Sequence, residues 1–184
     1  TIFIDGTKIE SCANKYTFVW KKSVGKWEEK MFQKIQDAVQ MMNLTYMKSF
    51  RIEKETRTPD LQEIMEFLSQ YCTEHKIPFV NGRGKRKSIH QRYYEMFRRF
   101  LDRQLLYDLH HSRFEERNSY SKTDPDATFM HMKDDHMRNA QLKPGYNVKI
   151  AVDSEYIVAT DIFQDRNDVW TLVPFLKTME ESLN

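Results

Sequence analysis

The sequence predicts a mixed α/β fold: a three-stranded antiparallel meander and a crossover helix, with a mainly helical insertion inside it. Three observations carry this. An apolar, β-like run opens the chain at Ile2-Phe3-Ile4. A long middle region repeats apolar residues at three- and four-residue steps, the period of a helix with one buried face. The last third alternates apolar and other residues along a hairpin, then returns to helical spacing.

In chain order, Ile2-Phe3-Ile4 and Tyr16-Thr17-Phe18-Val19-Trp20 are strand signals, because β-branched and aromatic side chains suit a pleated, half-buried surface. Between them Asp5-Gly6-Thr7-Lys8 either prolongs the first strand or bends away from it. Residues 28–117 read as helical. Phe32, Ile35, Val39 and Met42 share one face, as do Leu61, Ile64, Met65, Leu68, Tyr71 and Cys72. Thr58-Pro59-Asp60 is a start signal for the second helix, and Pro78 with Asn81-Gly82-Arg83-Gly84 breaks the pattern. A third helix carries Ile89, Tyr93, Met96, Phe97, Phe100 and Leu101. These methionine and aromatic stripes read as core contacts.

Residues 121–126 form a polar loop, and Pro144-Gly145 a turn. Tyr146, Val148, Ile150 and Val152 alternate along one strand; Asp153-Ser154-Glu155 turns tightly into a second strand, Tyr156 to Ile162. Asp165 to Asp168 supply a cap for a helix bearing Val169, Leu172, Val173, Leu176 and Met179, which Pro174 either kinks or divides. The first strand is expected beside the hairpin. The expected division is 1–27 for the first strands of the core, 28–120 for the helical insertion with a basic block, and 121–184 for the hairpin and following helix. A crossover helix normally leads to another strand, parallel to one already present. None follows here, and both ends of the chain read as cuts.

Composition narrows the function classes. Hydrophobic residues make up 40% and charged residues 30%, a soluble globular balance rather than a disordered one. No apolar run approaches the roughly 18 residues that span a bilayer, and the opening residues are no signal peptide. Two cysteines, Cys12 and Cys72, fit a reducing cytoplasm and read as small apolar side chains. The net charge is only +2, yet residues 83–103 hold eight basic side chains against the acidic Glu95 and Asp102. Arg83, Lys85, Arg86, Lys87 and Arg92 are the candidate DNA contacts, since such a block attracts phosphates by releasing their counterions. A solvated helix face is the alternative.

Asp5 is the sharpest chemical candidate. It ends an apolar run, so a strand would hold its carboxylate rigidly; Gly6 leaves room beside it, and Thr7 adds a hydroxyl. A carboxylate so placed suits Mg²⁺, which prefers oxygen donors shared with substrate phosphate. The tripeptide alone also reads as a turn after a strand. Haloacid-dehalogenase-type phosphatases share Asp-Gly-Thr, but their nucleophilic aspartate lies two residues earlier, where this chain has Phe3, which forms no acyl-phosphate. Asp124, Asp126, Asp134, Asp135, Asp153, Asp161, Asp165 and Asp168 crowd the last third, with Asp153 read as a turn acid and Asp168 as a helix cap. His131 and His136 match no common zinc spacing, and no phosphate-binding loop or nucleophile elbow is present.

Phe3-Ile4-Asp5-Gly6-Thr7-Lys8-Ile9-Glu10, continued by Ala13-Asn14-Lys15-Tyr16-Thr17-Phe18-Val19-Trp20-Lys21-Lys22, resembles the first catalytic block of bacterial insertion-sequence DDE transposases. Ser121-Lys122-Thr123-Asp124-Pro125-Asp126-Ala127-Thr128-Phe129-Met130 is similar to a second stretch of that family. A third runs from Gln141-Leu142-Lys143-Pro144-Gly145-Tyr146-Asn147 through Ile150-Ala151-Val152-Asp153. The resemblance implies a partial RNase H-like fold, in which two aspartates and a glutamate bind two Mg²⁺ ions for DNA cleavage and strand transfer. It makes Asp5 the first aspartate, projecting from a buried central strand. The other two acids would lie beyond this chain, which would then be inactive alone. It further implies DNA as partner (the ends of the insertion sequence), possible homodimers on paired ends, no membrane, and a bacterial cytoplasm at the nucleoid. A non-catalytic DNA-binding or interaction fragment is the alternative.

Overall fold

The computed structural model describes residues 1–14, 16–82, 84–132 and 141–183. Among the sequence candidates, Arg83, Asp134, Asp135 and His136 lie outside the described residues. The elements run β1 (Ile2–Glu10), β2 (Phe18–Trp20), α1 (Lys21–Tyr46), α2 (Arg57–Glu74), α3 (Ile89–Phe114), β3 (Ser119–Ser121), β4 (Thr128–His131), β5 (Leu142–Asp153), β6 (Tyr156–Phe163) and α4 (Asp168–Leu183). They divide into two compact units, Thr1–Lys22 with Arg113–Asn184, and Ser23–Ser112. The fold is mixed α/β with antiparallel sheets. No helix among the described residues is long and apolar enough to cross a membrane.

In the sheet unit, β5 is the organising strand. β1 pairs with it along its whole length, from Ile2↔Asp153 to Glu10↔Gly145. The opposite edge of β5 takes β6, from Asn147↔Phe163 to Asp153↔Tyr156. That edge continues into β4, from Thr128↔Gly145 to His131↔Leu142. Thus β1, β5 and β6 lie side by side, all antiparallel, with the hairpin turning at Ser154 (φ 59°), and β4 makes the sheet four-stranded where three strands were expected. Phe18–Trp20 and Ser119–Ser121 form a separate two-stranded ribbon. Phe18 and Phe129 meet edge-on beside it, 5.0 Å between centroids, and Phe114 meets Tyr120 at 5.2 Å.

Besides Pro144-Gly145, which lies inside β5 rather than at a turn, with Gly145 pairing with both Glu10 and Thr128, three expectations change here. First, β1 does not end at Asp5; it runs to Glu10, because β5 offers backbone partners that far. It is also no buried central strand: among the described residues it pairs with β5 alone, and Phe3 (70%) and Ile9 (52%) are exposed. Second, the alternation in β5 is real but its burial is inverted. Asn147, Lys149 and Ala151 are buried, whereas Val148, Ile150 and Val152 are half-buried. Third, α4 turns Thr171 and Phe175 inward, and Val169, Leu172, Val173 and Leu176 are exposed. Polar bonds set that orientation: Thr178 Oγ1 donates to Asp161 of β6 at 3.0 Å, and Lys149 of β5 reaches Asp168 at 3.0 Å. The helix cap is Asn167, whose Oδ1 accepts from the Val169 N–H at 3.1 Å. Pro174 stays inside the helix.

In the helical unit, the predicted stripes meet as a core. Phe32, Ile35, Val39 and Met42 of α1, Leu61, Ile64, Leu68 and Cys72 of α2, and Tyr93 and Phe97 of α3 are buried. Ile89 is exposed, and Cys12, in the other unit, is exposed too. At its buried end Glu28 of α1 accepts from Gln104 Nε2 and His111 Nε2 of α3, both at 2.9 Å, and lies 3.2 Å from Arg57 of α2. One carboxylate thereby ties three helices.

Candidate active site

Asp5 sits mid-strand, opposite Ile150 of β5, which in turn pairs with Thr160 of β6. Because side chains alternate along a strand, Asp5 and Thr7 share the sheet face with Val148 and Ile150, away from Lys149 and the buried residues under α4. Both Asp5 and Thr7 are exposed. The Gly6 N–H donates to Asp5 Oδ1 at 2.8 Å. The same bond recurs at the outer edge of β6, where the Ile162 N–H donates to Asp161 Oδ1 at 2.8 Å. A carboxylate that takes up the next residue's N–H therefore satisfies a strand edge at two places in this sheet.

Gly6 is closely packed, against a side chain rather than open to a ligand. Lys149 stands opposite it in the register, and its side chain lies across the glycine on the face away from Asp5. A Cβ at Gly6 would meet Lys149 Nζ at 2.5 Å and its Cδ and Cε at 3.1 Å. The room expected for a ligand is thus occupied by a buried lysine reaching Asp168 at 3.0 Å. Hydrogen bonds from Lys149 and then Asn147 hold the Asp168 carboxyl below the usual carboxylate range.

Asp124, one undistinguished acid among many in the sequence, is heavily bonded, with partners on both sides of its carboxylate. Ser11 Oγ, just past β1, donates to its Oδ2 at 2.5 Å. The Tyr146 phenol of β5 lies 2.8 and 2.7 Å from its two oxygens. Burial works to raise the Asp124 carboxyl. The bonds from Ser11, Tyr146 and the backbone at Asp126 and Ala127 outweigh it and hold the group low. Burial, and then the bond to Asp124, push the Tyr146 phenol up to about 12. Around it, the Asn14 N–H donates to Thr123 Oγ1 at 2.9 Å and the Lys122 N–H to the Thr17 carbonyl at 3.0 Å. No sequence period reveals this, since its members come from three separated segments.

The basic candidates differ among themselves. Lys85, Arg86 and Arg92 are exposed. Lys87 is engaged by Glu95 at 2.6 Å, a bond that, with one from Gln91, holds the Glu95 carboxyl low. For magnesium, Asp5 is a single carboxylate: among the described residues no group of three His, Cys, Asp or Glu side chains could hold a metal ion. Two ions need more oxygen donors than Asp5 provides, so these residues alone do not make the metal site. Compared with known proteins, the chain matches no family model, no curated protein and no solved structure.

Proposed function

We propose that this chain is part of a DDE-type insertion-sequence transposase, built on an RNase H-like core, that cleaves and joins DNA strands with two Mg²⁺ ions. One observation carries the reading: the three resembling stretches, 3–22, 121–130 and 141–153, lie within a single compact unit and bond to one another. β1 pairs along β5, and Asp124 of the second stretch binds Ser11 of the first and Tyr146 of the third. The helical insertion folds as a unit of its own. That is how an insertion is tolerated, because a unit with its own core leaves the host sheet's pairing undisturbed.

On this reading Asp5 supplies one of three metal-binding carboxylates, and the other two lie outside the described residues. Bound Mg²⁺ would supply the charge that in-line attack on a phosphodiester needs at its entering and leaving oxygens. What the chain itself does is position the first carboxylate, on a strand held by nine backbone pairs rather than on a loop. The exposed Lys85, Arg86 and Arg92 would hold DNA phosphates, paired DNA ends would recruit a second copy, and the work would take place at the bacterial nucleoid. A non-catalytic DNA-binding role is the second reading, favoured by those same exposed cations beside a single candidate carboxylate.

The test is cleavage of DNA carrying the element ends by the transposase to which this chain belongs. Nicks are expected with Mg²⁺ and none with EDTA. Cleavage that persists in EDTA, or that proceeds through a covalent protein–DNA intermediate, contradicts the reading.

A further inference from the structure

At one end of the helical unit the last turns of α1 and α2 meet the first turn of α3, and the junction is made of rings. Tyr46 meets Tyr71 edge-on, 4.8 Å between centroids, and its hydroxyl lies 2.8 Å from His90 Nδ1. His75 stacks face to face on Tyr71, with centroids 4.0 Å and planes 18° apart. Phe67 and His90 flank the stack at 6.0 and 5.2 Å from Tyr71. A junction serving only to hold helices together would bury these rings. Instead Tyr46, Phe67, Tyr71 and His90 are half-buried, and His75 is exposed.

One cation lies against these rings, and others are close to them in sequence. Lys48 lies 5.3 Å over the Phe67 ring. Lys76 directly follows His75, and Lys85 and Arg86 shortly precede α3; all three are exposed. The nearby acid Glu74 is engaged by Gln70 at 2.7 Å. An exposed imidazole backed by a tyrosine, with an ammonium group over the neighbouring phenylalanine, matches one chemistry: an aromatic base joined to a phosphate. Bases in a duplex are stacked on one another and offer no face to such rings, whereas unpaired bases do. An apolar peptide would leave the cations unmatched.

We propose that this end of the helical unit binds unpaired nucleotides of single-stranded DNA, stacking a base on the exposed face of His75, which Tyr71 backs, while Lys48 and Lys76 meet the phosphates. The inference takes DNA as partner from the proposed function and adds the strand state and the residues that read it.

The full chain is titrated, by fluorescence anisotropy, into a labelled oligothymidylate of about 20 nucleotides and into a duplex of equal length. Tighter binding of the single strand is expected. His75→Ala is expected to weaken it roughly fivefold or more and to leave duplex affinity unchanged, while His75→Tyr, which keeps a ring, retains it. His75 is exposed, so these variants leave the core intact. Equal affinity for both DNAs, no single-strand binding at low salt, or full single-strand binding by His75→Ala overturns the proposal. Failure of Mg²⁺-dependent nicking with this preference intact removes only the transposase reading.

Discussion

The phenol of Tyr146 lies 2.7 and 2.8 Å from the two carboxylate oxygens of Asp124, and so joins the middle of β5 to the loop before β4. Tyr146→Phe keeps the ring and removes this bond. The expected loss is about 1.5–3 kcal/mol of unfolding free energy, the range for hydrogen bonds to charged groups, measured by urea unfolding. The pH dependence has a definite sign. Asp124 is held low in the fold, so its contribution is present above the ordinary carboxylate range and is lost as pH falls through its lowered folded value. Tyr146 is pushed up to about 12, so its contribution is present below the ordinary tyrosine value near 10 and fades as pH rises toward 12. Asp124→Asn should flatten the acid limb; an unchanged limb would show that this carboxylate is not anchored as described.

Gly6 and Lys149 form a second dependence. Gly6→Ala forces the buried lysine off its path to Asp168, at an expected cost of about 1–3 kcal/mol, as for other overpacked sites. A double-mutant cycle with Lys149→Met checks the cause. Most of the penalty should vanish in the methionine background, and an undiminished penalty would place its origin elsewhere.

Glu28 is the corresponding node of the helical unit. Glu28→Ala removes the carboxylate facing the Arg57 guanidinium, which is largely shielded from solvent and keeps its bond to the Lys54 carbonyl, while the buried Gln104 amide keeps Asp108. Breaking one side of a buried pair costs about 3–5 kcal/mol. Thermal unfolding followed by helical circular dichroism should register that loss, and a variant as stable as the parent would refute the node.

Much of this architecture was legible in the sequence, but the faces of its elements were not. The 3–4 spacing of Phe32, Ile35, Val39 and Met42 marked a helix and its buried side together, because three helices meet around that stripe. In β5 the alternation marked the strand alone; Asn147 and Lys149 are buried because Asp168 and the Asp165 carbonyl receive them. α4 carries an apolar stripe on the side away from the sheet, and Thr171, Phe175 and Thr178 decide which side packs, through partners no local period encodes. Strands β3 and β4 are too short to show a period. Asp5 was legible as a strand residue, but the extension of β1 to Glu10 depends on β5, more than a hundred residues away in sequence. Asp124 is one acid among many in the sequence, since its partners Ser11 and Tyr146 are remote along the chain.

On the proposed reading, the exposed cations before and within α3 set the salt dependence of DNA binding. Removing Lys85, Arg86 and Arg92 together is expected to weaken duplex DNA binding and to lower the slope of log affinity against log salt by about 0.9 for each phosphate no longer neutralised. Lys87→Ala should change that slope less, because Glu95 already neutralises the ammonium at 2.6 Å. Equal effects from Lys87 and Arg92, or a slope that none of these substitutions moves, would remove the block from the DNA interface.

Asp5 and Asp161 make the same bond to the following N–H, at 2.8 Å each, on strands at opposite sides of β5. Substituting asparagine at either position removes the charge while keeping an acceptor for that N–H; at Asp161 it also replaces the oxygen that accepts from Thr178, so circular dichroism checks that both variants fold. On the proposed reading, the decisive measurement compares Mg²⁺-dependent nicking by the protein carrying Asp5→Asn with that by the one carrying Asp161→Asn. The account predicts that nicking disappears in the first and survives in the second. Nicking retained by Asp5→Asn would reduce Asp5 to a structural carboxylate that takes up the next residue's N–H, as Asp161 does.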